Sequence, residues 1–216
     1  MEISGVVGSA AKQPEKDGSD LIRRHGKTGE GCGANAHQEH YEAVSRGRVF
    51  SACSAAAGVA PGTSLGTTGA FTLHNPLNSG FNLVILTASC VLPYKATQVT
   101  LGAGTIFWTT HAGVAVVNPT GTAIIVRPNL LGNSAQGVAL AFENSTVATQ
   151  IPLRPFAHFG AIVSDTTATD PFMMIDHVNG EFIVGPGFSI GLNGITAAGA
   201  SPILQFGMSW EEVPIS

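Results

Sequence analysis

Charge is what most of this chain lacks. Between Val49 and Phe142 only Lys95 and Arg127 are charged, whereas the first 48 residues hold seven basic side chains (Lys12, Lys16, Arg23, Arg24, Lys27, Arg46, Arg48) and seven acidic ones. A soluble domain commits about a quarter of its residues to charge. With three basic and seven acidic groups after residue 48, this body is expected to face something other than bulk water, as an assembly component does. The balance also argues against nucleic acid. An arm that neutralises phosphates accumulates uncompensated Lys and Arg, and here Glu15, Asp17, Asp20, Glu30, Glu39 and Glu42 are interleaved with the bases.

Cysteine is scarce too. Cys32, Cys53 and Cys90 are odd in number and widely spaced, which gives neither a disulfide framework nor a metal knuckle; three reduced thiols are expected. No apolar stretch approaches the roughly 18 residues of a membrane helix, and no apolar core follows Met1-Glu2 as a secretory signal requires. Synthesis in a cytosol-like compartment and no membrane partner are the expectation. Aromatic platforms are few, with two Trp and two Tyr.

What the chain has in abundance is turn chemistry: 27 Gly and 12 Pro, with short runs of Val, Ile, Phe and Thr after Gly47 recurring at about ten-residue intervals. This rhythm predicts an all-β antiparallel sandwich over residues 48–216. Expected strands include Arg48 to Cys53, Ala70 to His74, Asn82 to Val91, Gln98 to Leu101, Thr105 to Thr110, Val114 to Val117, Ala123 to Arg127, Val138 to Phe142, His158 to Val163, Phe172 to Ile175, Glu181 to Val184, Phe188 to Leu192 and Ile203 to Trp210. Asn179-Gly180 is the best tight-hairpin signal, and Asn193-Gly194 reads as a second turn. Leu83-Val84-Ile85-Leu86 is apolar at every position, which implies burial on both faces, in the core or against a neighbouring subunit.

Catalytic and ligand patterns fail on inspection. Gly26-Lys27-Thr28 ends like a phosphate-binding loop, but Leu21 stands where the pattern needs glycine. Ile85 to Cys90 (ILTASC) and Gly132 to Gly137 echo two segments of trypsin-like proteases, yet Ser89 replaces the general base and Asn133 the acid before Ser134. His25, Cys32, His37 and His40 lack a recognised metal spacing. Asp165, Asp170, Asp176 and Glu181 form the body's acidic cluster without a calcium-loop pattern, and read as a solvated outward loop. The expectation is therefore no enzyme, no metal, no cofactor and no small-molecule substrate.

Residues 1–47 read as an extended N-terminal arm, too polar to order itself by burial, with Leu21, Ile22, Arg23 and Arg24 as its anchors. One short helix is expected near 34–46, where Ala34, His37, Tyr41 and Val44 fall three to four apart. The polar arm, the junction Tyr41 to Phe50 (YEAVSRGRVF), the segment Asn75 to Leu86 (NPLNSGFNLVIL) and the closing run Pro186 to Pro214 together resemble small virion structural proteins of tailed bacteriophages. The likeness is to capsid cement or decoration proteins, and it covers roughly a third of the chain. It implies a jelly-roll-like sandwich, a homotrimer, the virion capsid surface as location and the major capsid protein of the same virion as partner. The likeness assigns no individual residue; from the arm's own composition the expected capsid contacts are Leu21, Ile22, Arg23, Arg24, Tyr41, Arg46 and Arg48. The expected subunit interface uses Leu83, Ile85, Phe188, Ile190, Phe206 and Trp210. The competing expectation is a head-fibre or tail module that binds a receptor or glycan.

Overall fold

The alternating apolar runs become strands, and the strands close into two sheets over one core. The computed structural model describes residues 40–55, 57–92, 103–111, 118–147, 150–159, 173–197 and 202–215. Met1–Tyr41 and Glu42–Ser216 are separate units. Of the first, only His40 and Tyr41 are described, so the anchors Leu21, Ile22, Arg23 and Arg24 and the start of the expected helix lie outside the described residues. So do the expected strands Gln98 to Leu101 and Val114 to Val117.

A single helical turn, α1 (Tyr41–Ser45), precedes the strands. Gly47 ends it with a positive φ of 69°, the left-handed conformation that glycine adopts without a side-chain clash. The strands are β1 (Val49–Cys53), β2 (Thr68–His74), β3 (Phe81–Val91), β4 (Gly104–His111), β5 (Thr120–Ile124), β6 (Arg127–Pro128), β7 (Leu140–Thr146), β8 (Gln150–Phe159), β9 (Met173–His177), β10 (Ile183–Val184), β11 (Ser189–Thr196) and β12 (Gln205–Pro214).

Pairing is nested. The first strand pairs with the last, β2 with β11, β3 with β9 and β10, and β4 with β8, all antiparallel. One sheet runs β10-β3-β12-β1-β6 with β9 also on β3, and the other runs β5-β7-β2-β11-β4-β8. A long antiparallel ribbon rolled up so that its successive pairs fall in alternate sheets is the jelly-roll form of the β-sandwich. Strands β5 to β7 are an insertion at the ribbon's tip that widens both sheets. The all-β sandwich expected from the turn rhythm is what forms.

Between the sheets lie Phe71, Leu73, Ile106, Trp108 and Leu192 from one side, and Leu83, Ile85, Phe206 and Trp210 from the other, every one fully buried. Fully burying an aliphatic or aromatic side chain stabilises by about 1.5–3 kcal/mol, so this cluster outweighs any surface feature. Gly191, in the middle of its sheet, has room for nothing more: a Cβ there would sit 2.5 Å from the Phe71 carbonyl oxygen. Glu212, also buried, accepts hydrogen bonds from the Val138 and Ala139 amides at 2.9–3.1 Å and ties the insertion to β12.

One sequence expectation holds with its reason now visible, and three change. The run from Leu83 to Leu86 is covered on both faces, as its unbroken apolar sequence implies, because α1 and Val49 pack on the face opposite the main core. Leu83 and Ile85 face the main core, while Leu86 packs with Ala43 of α1 and with Val49 in a second cluster. Asn179-Gly180 is no hairpin. Both residues have positive φ, 48° and 85°, as a type I′ turn needs, but β9 and β10 on either side pair with the same strand, β3. The turn is an excursion within one edge. Asn193-Gly194 is not a turn either; it lies inside β11, where the Asn193 amide donates to the Thr68 carbonyl. Finally, β8 starts eight residues before the expected His158. Pro152 and Pro155 concealed it, since proline cannot donate to a central ladder, and β8 is an edge strand where that loss is tolerated.

Candidate assembly surface

The two sheet edges formed by β8 and by β9-β10 are joined by a knot of charge. Arg154 of β8 reaches across to Asp176 of β9 at 2.7 Å and to Glu181 at 2.5 Å. Its guanidinium lies 4.9 Å from the centre of the Phe182 ring. Asp176 also accepts the indole N–H of Trp108 at 2.8 Å, and Trp108 packs edge-on against Phe156 and Phe182. The two carboxylates hold the Arg154 guanidinium above its ordinary pKa against the opposing effect of partial burial, the largest single influence. Asp176 and Glu181 are thus ion-paired closures of a sandwich edge, correcting the expectation of a solvated acidic loop. Asp165 and Asp170 lie outside the described residues.

Backbone irregularity aims this edge. Pairing of β4 with β8 skips Phe156 and Leu153, each immediately after or before a proline. Bulges re-aim side chains: Phe156 turns in against Trp108, whereas Leu153 stands out, 45% exposed. On the facing strands Met173, Met174, Ile175 and Ile183 are 40–63% exposed. With Ile151, Leu153 and Phe188, they make seven of the thirteen large apolar side chains exposed among the described residues. A hollow of about 440 Å³ lies among Leu153, Phe182, Ile183, Val184, Phe188 and Ile190. Isolated surface hydrophobics are ordinary, but a concentration on one edge marks an interaction surface. Among the described residues its charges, Arg154, Asp176 and Glu181, are paired with one another, so covering it strands none of them.

The expected interface residues divide sharply. Leu83, Ile85, Ile190, Phe206 and Trp210 are at most 3% exposed. They are consumed by the protomer's own core and have no surface to offer a neighbour, which corrects that expectation. Phe188 alone remains at the surface, its ring stacked 5.4 Å from that of His111. Of the expected capsid contacts, Tyr41 is exposed on α1, Arg46 is exposed just beyond it, and Arg48 pairs with Glu211 at 3.4 Å. Sequence reading missed Ile151, Leu153, Met173, Met174, Ile175 and Ile183 as surface residues. The signal was the unbroken apolar triplet Met173-Met174-Ile175, which has no period-two alternation.

Behind Phe188 lies a buried polar network. His74 contacts the Ser189 hydroxyl through Nδ1 at 2.8 Å and the Asn118 side-chain oxygen through Nε2 at 2.9 Å. The amide oxygen can only accept, so Nε2 carries the proton and Nδ1 accepts from Ser189. Burial pushes the His74 pKa below its ordinary value, with the neighbouring His111 acting in the same direction. The Ser189 amide in turn donates to His111 Nε2 at 3.1 Å. Among the described residues no group of three or more His, Cys, Asp or Glu side chains converges as metal ligands would.

Comparison with known protein families, curated proteins and solved structures finds no match to this chain.

Proposed function

We propose that this protein is a non-enzymatic structural component of a tailed-phage virion. In this reading it seats on the outside of the capsid as a homotrimer and cements neighbouring shell subunits. The observation that carries the reading is the apolar edge around β8, β9 and β10, whose charges are satisfied internally in a body otherwise almost free of ions. A surface of this kind associates by shape and apolar contact, which salt screens little. An arm of about forty residues would add linked contacts at high effective concentration.

The test is co-sedimentation of the full chain with phage heads from the host that encodes it, at 0.1 and 1 M NaCl. Saturable binding that survives high salt supports the proposal, and so does its loss when residues 1–33 are deleted. Absence of binding at either salt refutes capsid attachment. Selective binding to host-surface glycans instead would favour the head-fibre or tail reading, although both described tryptophans, Trp108 and Trp210, are fully buried and offer a sugar no platform.

A further inference from the structure

A second hollow lies on the outer face of the β10-β3-β12-β1-β6 sheet, with Ile175 of the apolar edge bordering its floor beside Ser89. Residues directly opposite in antiparallel strands share a face. The registers therefore align Arg127, Ser51, Ser209 and Thr87 in one row across β6, β1, β12 and β3, and Cys53, Gly207 and Ser89 in the next. Their neighbours along the strands, Phe50, Trp210, Met208 and Ala88, point the other way into the core. The floor is consequently flat and made of small groups. The segment 122–125 stands beside it as a wall, and the space enclosed is about 640 Å³.

Within the floor, polar groups are largely satisfied. The Thr87 and Ser209 hydroxyls bond each other at 2.6 Å, Ser51 donates to the Asn129 side chain, and the Glu143 carboxylate accepts the Ala55 amide. Arg127 is the exception. It is exposed at the groove and has no ion pair among the described residues, whereas Arg48 and Arg154 are both paired. Among the described carboxylates of the two sheets and their loops, Asp176, Glu181 and Glu211 are ion-paired, and Glu143 and Glu212 hold backbone amides. A guanidinium presents a planar fork that matches a carboxylate in two parallel hydrogen bonds.

We propose that this groove binds an extended, carboxylate-bearing peptide segment of another protein. The peptide's Asp or Glu side chain, or its C-terminal carboxylate, pairs with Arg127 while its backbone crosses the Ser51, Ser209, Ser89 floor. A peptide is favoured over an acidic sugar because no aromatic ring lines the groove on which a sugar face could stack. The hollow borders the apolar edge at Ile175 but takes none of its lining from that edge, and the proposal stands whether or not the particle is a phage head.

Cys53 supplies the readout, since its thiol is exposed in the groove. The probe is a displayed library of random dodecapeptides selected on the immobilised full chain. Enriched peptides are then made synthetically beside versions with Gln and Asn for their acids, and a glucuronate disaccharide serves as the sugar arm. The expected result is enrichment of acid-bearing peptides whose affinity falls at least tenfold in Arg127→Gln or on Glu→Gln exchange in the peptide. Those peptides should also slow maleimide alkylation of Cys53 at least fivefold. Ser209→Phe, which fills the floor and leaves Arg127 in place, should abolish binding as well. The proposal is overturned if enriched peptides lack acids, bind Arg127→Gln equally, or leave Cys53 alkylation unchanged. It is equally overturned if only the disaccharide binds.

Discussion

Replacing Arg154 with methionine tests whether the charge knot holds the sandwich edge in place. Methionine keeps the apolar stem, so the loss is confined to the guanidinium, whose side chain is 32% exposed. Partly exposed ion pairs contribute about 0.2–1 kcal/mol each, and there are two, to Asp176 and Glu181. The contact over Phe182 adds about 0.5–1 kcal/mol. The expected cost is about 2 kcal/mol, offset in part because Asp176 keeps its bond from the Trp108 indole. For a domain of this size each kcal/mol lowers Tm by about 2–4 °C, so a fall of about 4–8 °C is expected by calorimetry, with an unchanged denaturant m-value. Arg48→Met removes a partly exposed pair to Glu211 at 3.4 Å, and loss of such a pair costs about 1 kcal/mol or less. If Arg154→Met shifts Tm no more than Arg48→Met does, the edge is held by packing alone and the reasoning about the knot is wrong.

Three other outcomes follow from named contacts. Burial lowers the His74 pKa in the folded state below its ordinary 6.5, so the unfolded chain takes up the proton first. Stability should therefore be full above about pH 6.5 and decline as pH falls below it, and His74→Gln should flatten that slope in Tm measured from pH 8 to 5. Burial pushes the Cys90 thiol up to about 12, so native alkylation read by peptide mass spectrometry should modify Cys53 and leave Cys90 untouched until denaturant is added. Gly191→Ala drives a Cβ against the Phe71 carbonyl oxygen at 2.5 Å; overpacking of this kind costs about 3 kcal/mol, and an unchanged Tm would show that β11 can shift to make room.

The sandwich was legible because turn residues and short apolar runs are local signals, and β1, β2, β3, β4 and β11 form close to where those runs lie. Strand order was not. Nested pairing brings together residues such as Ser54 and Phe206, 152 positions apart, and nothing local encodes which distant run is the partner. The proline pair in β8 reads as a loop unless the strand is known to be an edge. Misassignment of the expected interface has a similar origin: Leu83, Ile85, Phe206 and Trp210 carry a strong apolar signal, and that signal is equally suited to a core or to a neighbour. Only the layered arrangement decides for the core. The actual surface is carried by weaker cues, three consecutive apolar residues in β9 and an isoleucine in the two-residue β10. Arg154 meets its acids 22 and 27 residues away, with no motif spacing to announce it.

The central claim is that the apolar edge is covered by sister copies. Sedimentation equilibrium of the full chain tests it most directly, run beside Ile183→Lys and Ile175→Lys, two exposed positions where substitution should alter folding stability by less than about 0.5 kcal/mol. The account predicts a species of three times the 22.1 kDa chain mass that reverts to single copies in both variants. A parent chain that stays at single-copy mass at every concentration, or a trimer indifferent to both lysines, would contradict it.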